Sequence, residues 1–154
     1  MTAIARDDDW DDEEPRPPFA DLPPPPPDVV PSGEVYDWYR RGVEQLEAGS
    51  TKPAIGLLQM ASDAEPESRS VREALARAQF DAGLYDAARA NFEIIVAVNP
   101  ADDYAQFGLG LAAARLGDFA GAVEHLALAA AMRPDVTHYA TALRGARATL
   151  SAQR

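Results

Sequence analysis

From Tyr36 onward apolar residues recur at helical intervals. Tyr36, Tyr39, Val43 and Leu46 lie 3, 4 and 3 residues apart and mark one stripe of an amphipathic helix. Gly49 ends that helix, since glycine accepts the left-handed conformation with which helices often finish. Thr51 is placed to cap the next helix, with Pro53 in its first turn, where a missing N–H costs nothing. That helix runs through Ile55, Leu58 and Ala61 to Pro66, which stops it. The same pattern predicts helices over 69–82, 86–98, 102–116, 119–132 and 136–151, broken in turn at Gly83, Asn99-Pro100, Gly117 and Arg133-Pro134. The last of them has Tyr139, Ala142, Ala146 and Leu150 on its apolar side and Thr141, Arg144 and Arg147 elsewhere. One polar side suits a helix that ends a stack without exposing its core.

The punctuation is itself periodic. Pro66, Pro100 and Pro134 stand 34 residues apart, and Gly49, Gly83, Gly117 and Ala54, Ala88, Ala122 keep the same interval. Three registers at one spacing identify a single supersecondary unit used three times. Gly42, Ala76, Gly110 and the three alanines fall where the two helices of a unit would cross closely, with Tyr85, Phe92 and Phe119 filling the space beside them. Overpacking such a crossing typically costs about 1–3 kcal/mol.

These residues resemble the tetratricopeptide repeat family. The third unit supplies Phe107, Leu109, Gly110, Gly117-Asp118-Phe119, Ala122, Leu126, Ala129 and Pro134 of its helix-turn-helix pattern. The second supplies Leu75, Ala76, Gly83, Tyr85, Ala88, Phe92 and Asn99-Pro100, and the first Trp38, Gly42, Gly49, Ala54, Leu58, Ala61 and Pro66. Ile95 stands where a small alanine is usual, and Arg41 where a leucine would be buried. The resemblance covers residues 35–151. It implies an all-α, right-handed solenoid of three repeats, 35–68, 69–102 and 103–136, closed by a capping helix over 136–151. Repeat arrays of this kind make binding surfaces more often than catalytic pockets, although the fold does not by itself dictate an activity.

Residues 1–33 break the pattern. They hold nine of the thirteen prolines and nine of the twenty-five acids, with only Arg6 and Arg16 as bases, so they carry about −7 of the net −11. The acids of Asp7–Glu14 repel one another, and Pro23–Pro27 favours an extended polyproline rod. A disordered, semi-stiff tail before a repeat domain over 34–151 is expected. The acidic balance argues against sequence-independent nucleic-acid binding and against docking on an anionic membrane. With no cysteine, disulfides and thiolate metal sites are excluded. No apolar stretch follows the first residues as in a signal peptide, and the longest apolar run, Leu126–Met132, is seven residues, too short to span a bilayer. The expectation is a soluble, cytoplasmic protein.

The family resemblance implies that the first helix of each unit lines a concave groove. Tyr36, Tyr39, Val43, Leu46 and Glu47 then face it from the first unit, Ser70, Glu73, Arg77, Phe80 and Asp81 from the second, and Tyr104, Phe107, Leu111, Ala114 and Arg115 from the third. Five aromatic rings make that groove partly apolar, although each singly could equally be packing between helices. Family co-chaperones hold a partner's terminal carboxylate with lysine, asparagine and arginine. The corresponding places here carry Tyr39, Val43, Glu73, Phe107 and Leu111, with only Arg77 basic, so that clamp is not expected. The tail offers Trp10 amid seven carboxylates and Phe19 and Leu22 within the proline tract. It is either a solvated solubility tail or a segment that docks in a groove, its own or a neighbour's, in competition with partners.

Catalytic chemistry finds no foothold. His125 and His138 are the only histidines, no glycine-rich phosphate loop or nucleophile elbow occurs, and Gly108-Leu-Gly110 falls inside a predicted helix. Asp102-Asp103 reads as a helix cap. The sequence therefore predicts a non-enzyme without metal or cofactor. Its expected work is to hold another protein or peptide in an aromatic groove, as an adaptor or chaperone-like module. The alternative is a structural protein that associates with itself as a homo-oligomer, or an accessory subunit of a larger complex.

Overall fold

The computed structural model describes Phe19 and residues 33–154. Seven helices follow one another: α1 (Gly33–Glu47), α2 (Thr51–Ala64), α3 (Arg69–Asp81), α4 (Tyr85–Val98), α5 (Asp103–Arg115), α6 (Phe119–Met132) and α7 (Thr137–Ala152). Each packs on the next, and α1, α3, α5 and α7 also touch in succession. Among the described residues the even helices α2, α4 and α6 make no such contact with one another. The odd helices therefore form the inner layer of a right-handed solenoid and the even helices its outer layer. The predicted all-α architecture is the observed one, with helix ends within two residues of expectation. The predicted tail, Phe19 and Gly33 apart, lies outside the described residues.

Turn chemistry explains the chain reversals. Gly49, Gly83 and Gly117 have φ of +81°, +81° and +84°, the left-handed conformation that side chains disfavour. At each, two hydrogen bonds close the helix end. The Gly83 amide donates to the Phe80 carbonyl (3.0 Å) and the Leu84 amide to Gln79 (2.8 Å); the Gly117 amide donates to Ala114 (3.1 Å) and Asp118 to Ala113 (2.9 Å). The side chains of Ser68, Asp102 and Asp118 then cap α3, α5 and α6, accepting from the amides of Val71, Ala105 and Gly121 at 3.4, 3.0 and 2.9 Å. Thr51, expected as a cap, is instead the first helical residue of α2. Ser50 precedes it, and its side chain makes no capping bond. The Ser50 amide donates to Gln45 at 2.8 Å and closes the preceding turn.

Close crossings within each helix pair follow the 34-residue register. A methyl group on Gly42 would lie 2.7 Å from Leu58 Cγ, and one on Gly110 the same distance from Leu126 Cγ, two positions related by two repeats. Ala54, Ala88 and Ala122 are all fully buried. Two apolar clusters result. The smaller joins Leu46, Ala54 and Leu58 to Ala74, Leu75 and Ala78 of α3. The larger runs from Ala76 and Phe80 on α3 through α4–α6 to Tyr139, Leu143 and Ala146 of α7. Arg41 is exposed on α1, the first of the described helices.

Candidate functional site

The inner layer presents the residues singled out from the sequence in two different ways. On α1, Tyr36 is exposed, Tyr39 and Val43 are half-buried, and Leu46 is buried against the smaller cluster. On α3 and α5, Arg77 and Leu111 are half-buried, whereas Phe80, Tyr104 and Phe107 are buried, each at most 5% exposed. The second set converges on one point.

That point is Phe19, itself 1% exposed. Its ring meets Phe80 edge-on at 5.6 Å between centroids, Phe107 edge-on at 5.8 Å, Tyr104 at 5.5 Å and Phe92 in a stacked arrangement at 6.1 Å. These are the offset and edge geometries that aromatic quadrupoles favour. The Arg77 guanidinium lies over the Phe19 ring at 5.6 Å and over Tyr104 at 6.0 Å, adding a cation–π contact from the side. Three helices thus build one aromatic seat: α3 gives Phe80 and Arg77, α4 gives Phe92, and α5 gives Tyr104 and Phe107. Trp10 and Leu22, grouped with Phe19 from the sequence, lie outside the described residues.

Phe92 forms the floor of this seat, and Gly108 makes room for it. A methyl group on Gly108 would collide with the Phe92 ring. Phe92 occupies the register position that Leu58 and Leu126 fill in the other units, and Gly108 the position of Ala74. That larger-for-smaller exchange was the signal in the sequence from which the floor could have been found. Behind the seat, Phe107 packs on Tyr139 at 4.8 Å, whose hydroxyl donates to Asp103 at 2.7 Å. Burial, together with that bond, pushes the Tyr139 hydroxyl well above the usual phenol range.

The rim of the seat is polar. Arg77 Nε, Asp81 Oδ1 and the Tyr104 hydroxyl are buried atoms that find no hydrogen-bond partner among the described residues. Burial raises the Asp81 carboxyl above the ordinary carboxylate range, against the pull of the Arg77 charge. Burial likewise raises the Tyr104 hydroxyl far above its usual value, with the Arg77 charge again opposing. Nearby, Arg115 lies over Phe80 at 5.4 Å and over Tyr85 at 5.7 Å, and donates to the Tyr85 hydroxyl at 3.3 Å. Glu73, 4% exposed, is held by Arg69 at 3.5 Å, and the same guanidinium reaches Asp102 at 3.4 Å. Of these groups Glu73, Arg77, Asp81, Tyr104 and Arg115 lie on the face expected from the sequence, whereas Arg69, Tyr85 and Asp102 join them only through folding.

His125 Nδ1 sits 2.9 Å from Gln106 Oε1, bridging the helices of the third unit, and His138 is exposed. Arg72 and Asn91 make the corresponding bridge one repeat earlier, at 2.9 Å. No group of three or more potential metal ligands occurs among the described residues. No described helix is long and apolar enough to cross a membrane.

Comparison with known proteins agrees with this geometry. Residues 73–136 match the sequence profile of the tetratricopeptide repeat family. No curated protein matches the chain in sequence. Among solved structures, the first TPR of Spaghetti (RPAP3), bound to the HSP90 peptide SRMEEVD, is similar with a TM-score of 0.73 at 20% identity. The match covers 79% of this chain and 97% of the other. The Sgt2 TPR domain from Aspergillus fumigatus is similar with a TM-score of 0.73 at 20% identity, over 82% of this chain and 85% of the other. A thermophilic TPR protein from Thermus thermophilus is similar with a TM-score of 0.69 at 23% identity, over 76% of this chain and 66% of the other.

Proposed function

Because the chain is a tetratricopeptide-repeat protein, we propose that it is a non-catalytic interaction module, adaptor or chaperone-like, that holds a stretch of another polypeptide on its inner layer. The observation that carries this reading is the aromatic seat on α3 and α5: a side chain from outside the helical array is already bound there. From the seat, the inner face continues across Leu111, Val43, Tyr39 and Tyr36, each at least partly open to solvent. One of the similar folds holds an HSP90 peptide, which supports a peptide as the kind of ligand. A terminal carboxylate is not the group this face suits. Glu73 stands buried among the inner positions, and Tyr39, Val43, Phe107 and Leu111 add no positive charge beside Arg77. An apolar helix, or an extended peptide with aromatic or proline anchors, fits better.

A random-peptide display library selected on the full chain tests the reading. Selected peptides should carry aromatic anchors and lose at least about tenfold in affinity with Arg77→Ala and with Leu111→Ser, a loss typical of anchor contacts. Peptides indifferent to both changes would move the binding site elsewhere.

A second reading, self-association or service as an accessory subunit, draws on the outer layer. Met60, Ile94 and Leu128 recur every 34 residues on α2, α4 and α6, and all three are close to half exposed. Light scattering over a range of protein concentrations separates the two readings: mass that grows with concentration supports self-association.

A further inference from the structure

We infer that Phe19 is an intramolecular ligand of the partner groove, so that partners gain access by displacing it with an aromatic side chain of their own. This inference rests on the peptide-binding reading above and adds both the chemistry of the anchor and a competitor built into the chain.

Three observations point the same way. The seat is shaped for one aromatic ring: two edges (Phe80 and Phe107), one stacked face (Phe92), one tilted ring (Tyr104) and a guanidinium (Arg77) surround Phe19. The ring filling it comes from outside the seven helices, 14 residues before α1 begins at Gly33. A connection of that length reaches at most about 50 Å, enough to hold a competitor near the groove at an effective concentration in the millimolar range. Finally, the rim offers hydrogen bonds. Among the described residues nothing satisfies Arg77 Nε, Asp81 Oδ1 or the Tyr104 hydroxyl, although all three atoms are buried at the rim of the seat. A donor (Arg77), an acceptor (Asp81) and a hydroxyl that serves as either match the alternating N–H and C=O groups of an extended peptide. The partner chemistry that answers both floor and rim is an extended segment with a phenylalanine-like anchor, whose flanking main chain bonds to Arg77, Asp81 and Tyr104. The apparent affinity of such a ligand is lowered by the fraction of molecules in which Phe19 holds the seat.

The experiment measures binding of a fluorescein-labelled synthetic peptide of residues 13–25 to full-length chains, by anisotropy. The wild-type chain should bind it weakly and the Phe19→Ser chain at least about tenfold more tightly, because the tethered competitor is gone. The same peptide with Phe19→Ala should bind neither. Since Phe19 is part of the core, a second variant leaves every contact intact: about forty Gly/Ser residues inserted between Val30 and Pro31 dilute the competitor, and should tighten binding roughly sevenfold. Equal affinity for the wild type and both variants overturns the inference. So does an affinity for the wild type that falls as its own concentration rises, which would assign the ring to a second copy. Library-selected peptides that bind at Arg77 and Leu111 but ignore Phe19→Ser and the insertion would sink the intramolecular competitor while leaving the peptide-binding function standing. A labelled peptide that binds Phe19→Ser tightly, with no library peptide sensitive to Arg77→Ala, would do the reverse.

Discussion

Asp81, beside Arg77 at the rim of the aromatic seat, carries a charge that burial disfavours. Its carboxyl is partly buried near Arg77, and desolvation raises its folded pKa above the unfolded value. A carboxyl shifted upward binds its proton more tightly in the folded state. Its favourable contribution is therefore present at acid pH and is lost as pH rises through the folded pKa. At neutral pH the ionised group is a liability. Asp81→Asn should accordingly melt at a higher temperature than the parent at pH 7, by an amount worth less than about 1 kcal/mol given the remaining solvent screening. The gap should close as the pH is lowered below the carboxylate range, where both side chains are neutral. A gap that widens toward acid would mean that the Arg77 charge, and not burial, dominates. The sequence placed this acid on the inner face, four residues after Arg77, but not its burial. Its environment is set by tertiary approach, which periodicity does not encode.

At the scale of the element, local chemistry decides most of the outcome, and here the sequence was readable. Three glycines at one interval mark three turns because each turn closes with a left-handed residue, and only glycine takes that conformation without steric cost. Gly117→Ala should destabilise by about 1–2 kcal/mol, seen as a lower denaturant midpoint with an unchanged slope. Because nothing lies within 4 Å of a methyl group placed there, any loss would report backbone strain alone, and an unaffected midpoint would refute the turn assignment. Capping was read less well. Asp102 serves as predicted, whereas Thr51 does not: α2 begins at Thr51 itself, and Ser50, in the cap position, makes no side-chain capping bond. A one-residue difference in where a helix begins turns an expected cap into a first-turn residue, and spacing alone does not resolve it.

For the whole molecule, the apolar interior is divided and not continuous. Helix α3 serves both parts, giving Ala74, Leu75 and Ala78 to the smaller cluster and Ala76 and Phe80 to the larger. Stability in stacked repeats is close to a sum of units and their junctions, so α1–α2, which among the described residues pack on one side of α3 alone, should open before the rest. Amide hydrogen exchange checks this: α1 and α2 should exchange faster than α5 and α6, and uniform protection would point to a single cooperative unit. An inner layer of aromatic residues was foreseeable from the sequence, but not its organisation. Tyr36 remains exposed, whereas Phe80, Tyr104 and Phe107 gather round a ring supplied from beyond the repeats. Spacing assigns residues to a face; it does not say which of them will meet a segment joined to that face only through tertiary contact.

The ridge of Met60, Ile94 and Leu128 belongs to the outer helices and the aromatic seat to the inner ones. Traffic on one side therefore leaves the other unobstructed. Were a guest lodged at the seat, Met60, Ile94 and Leu128 would stay as open as they are now, so that the two sides can be filled or emptied independently.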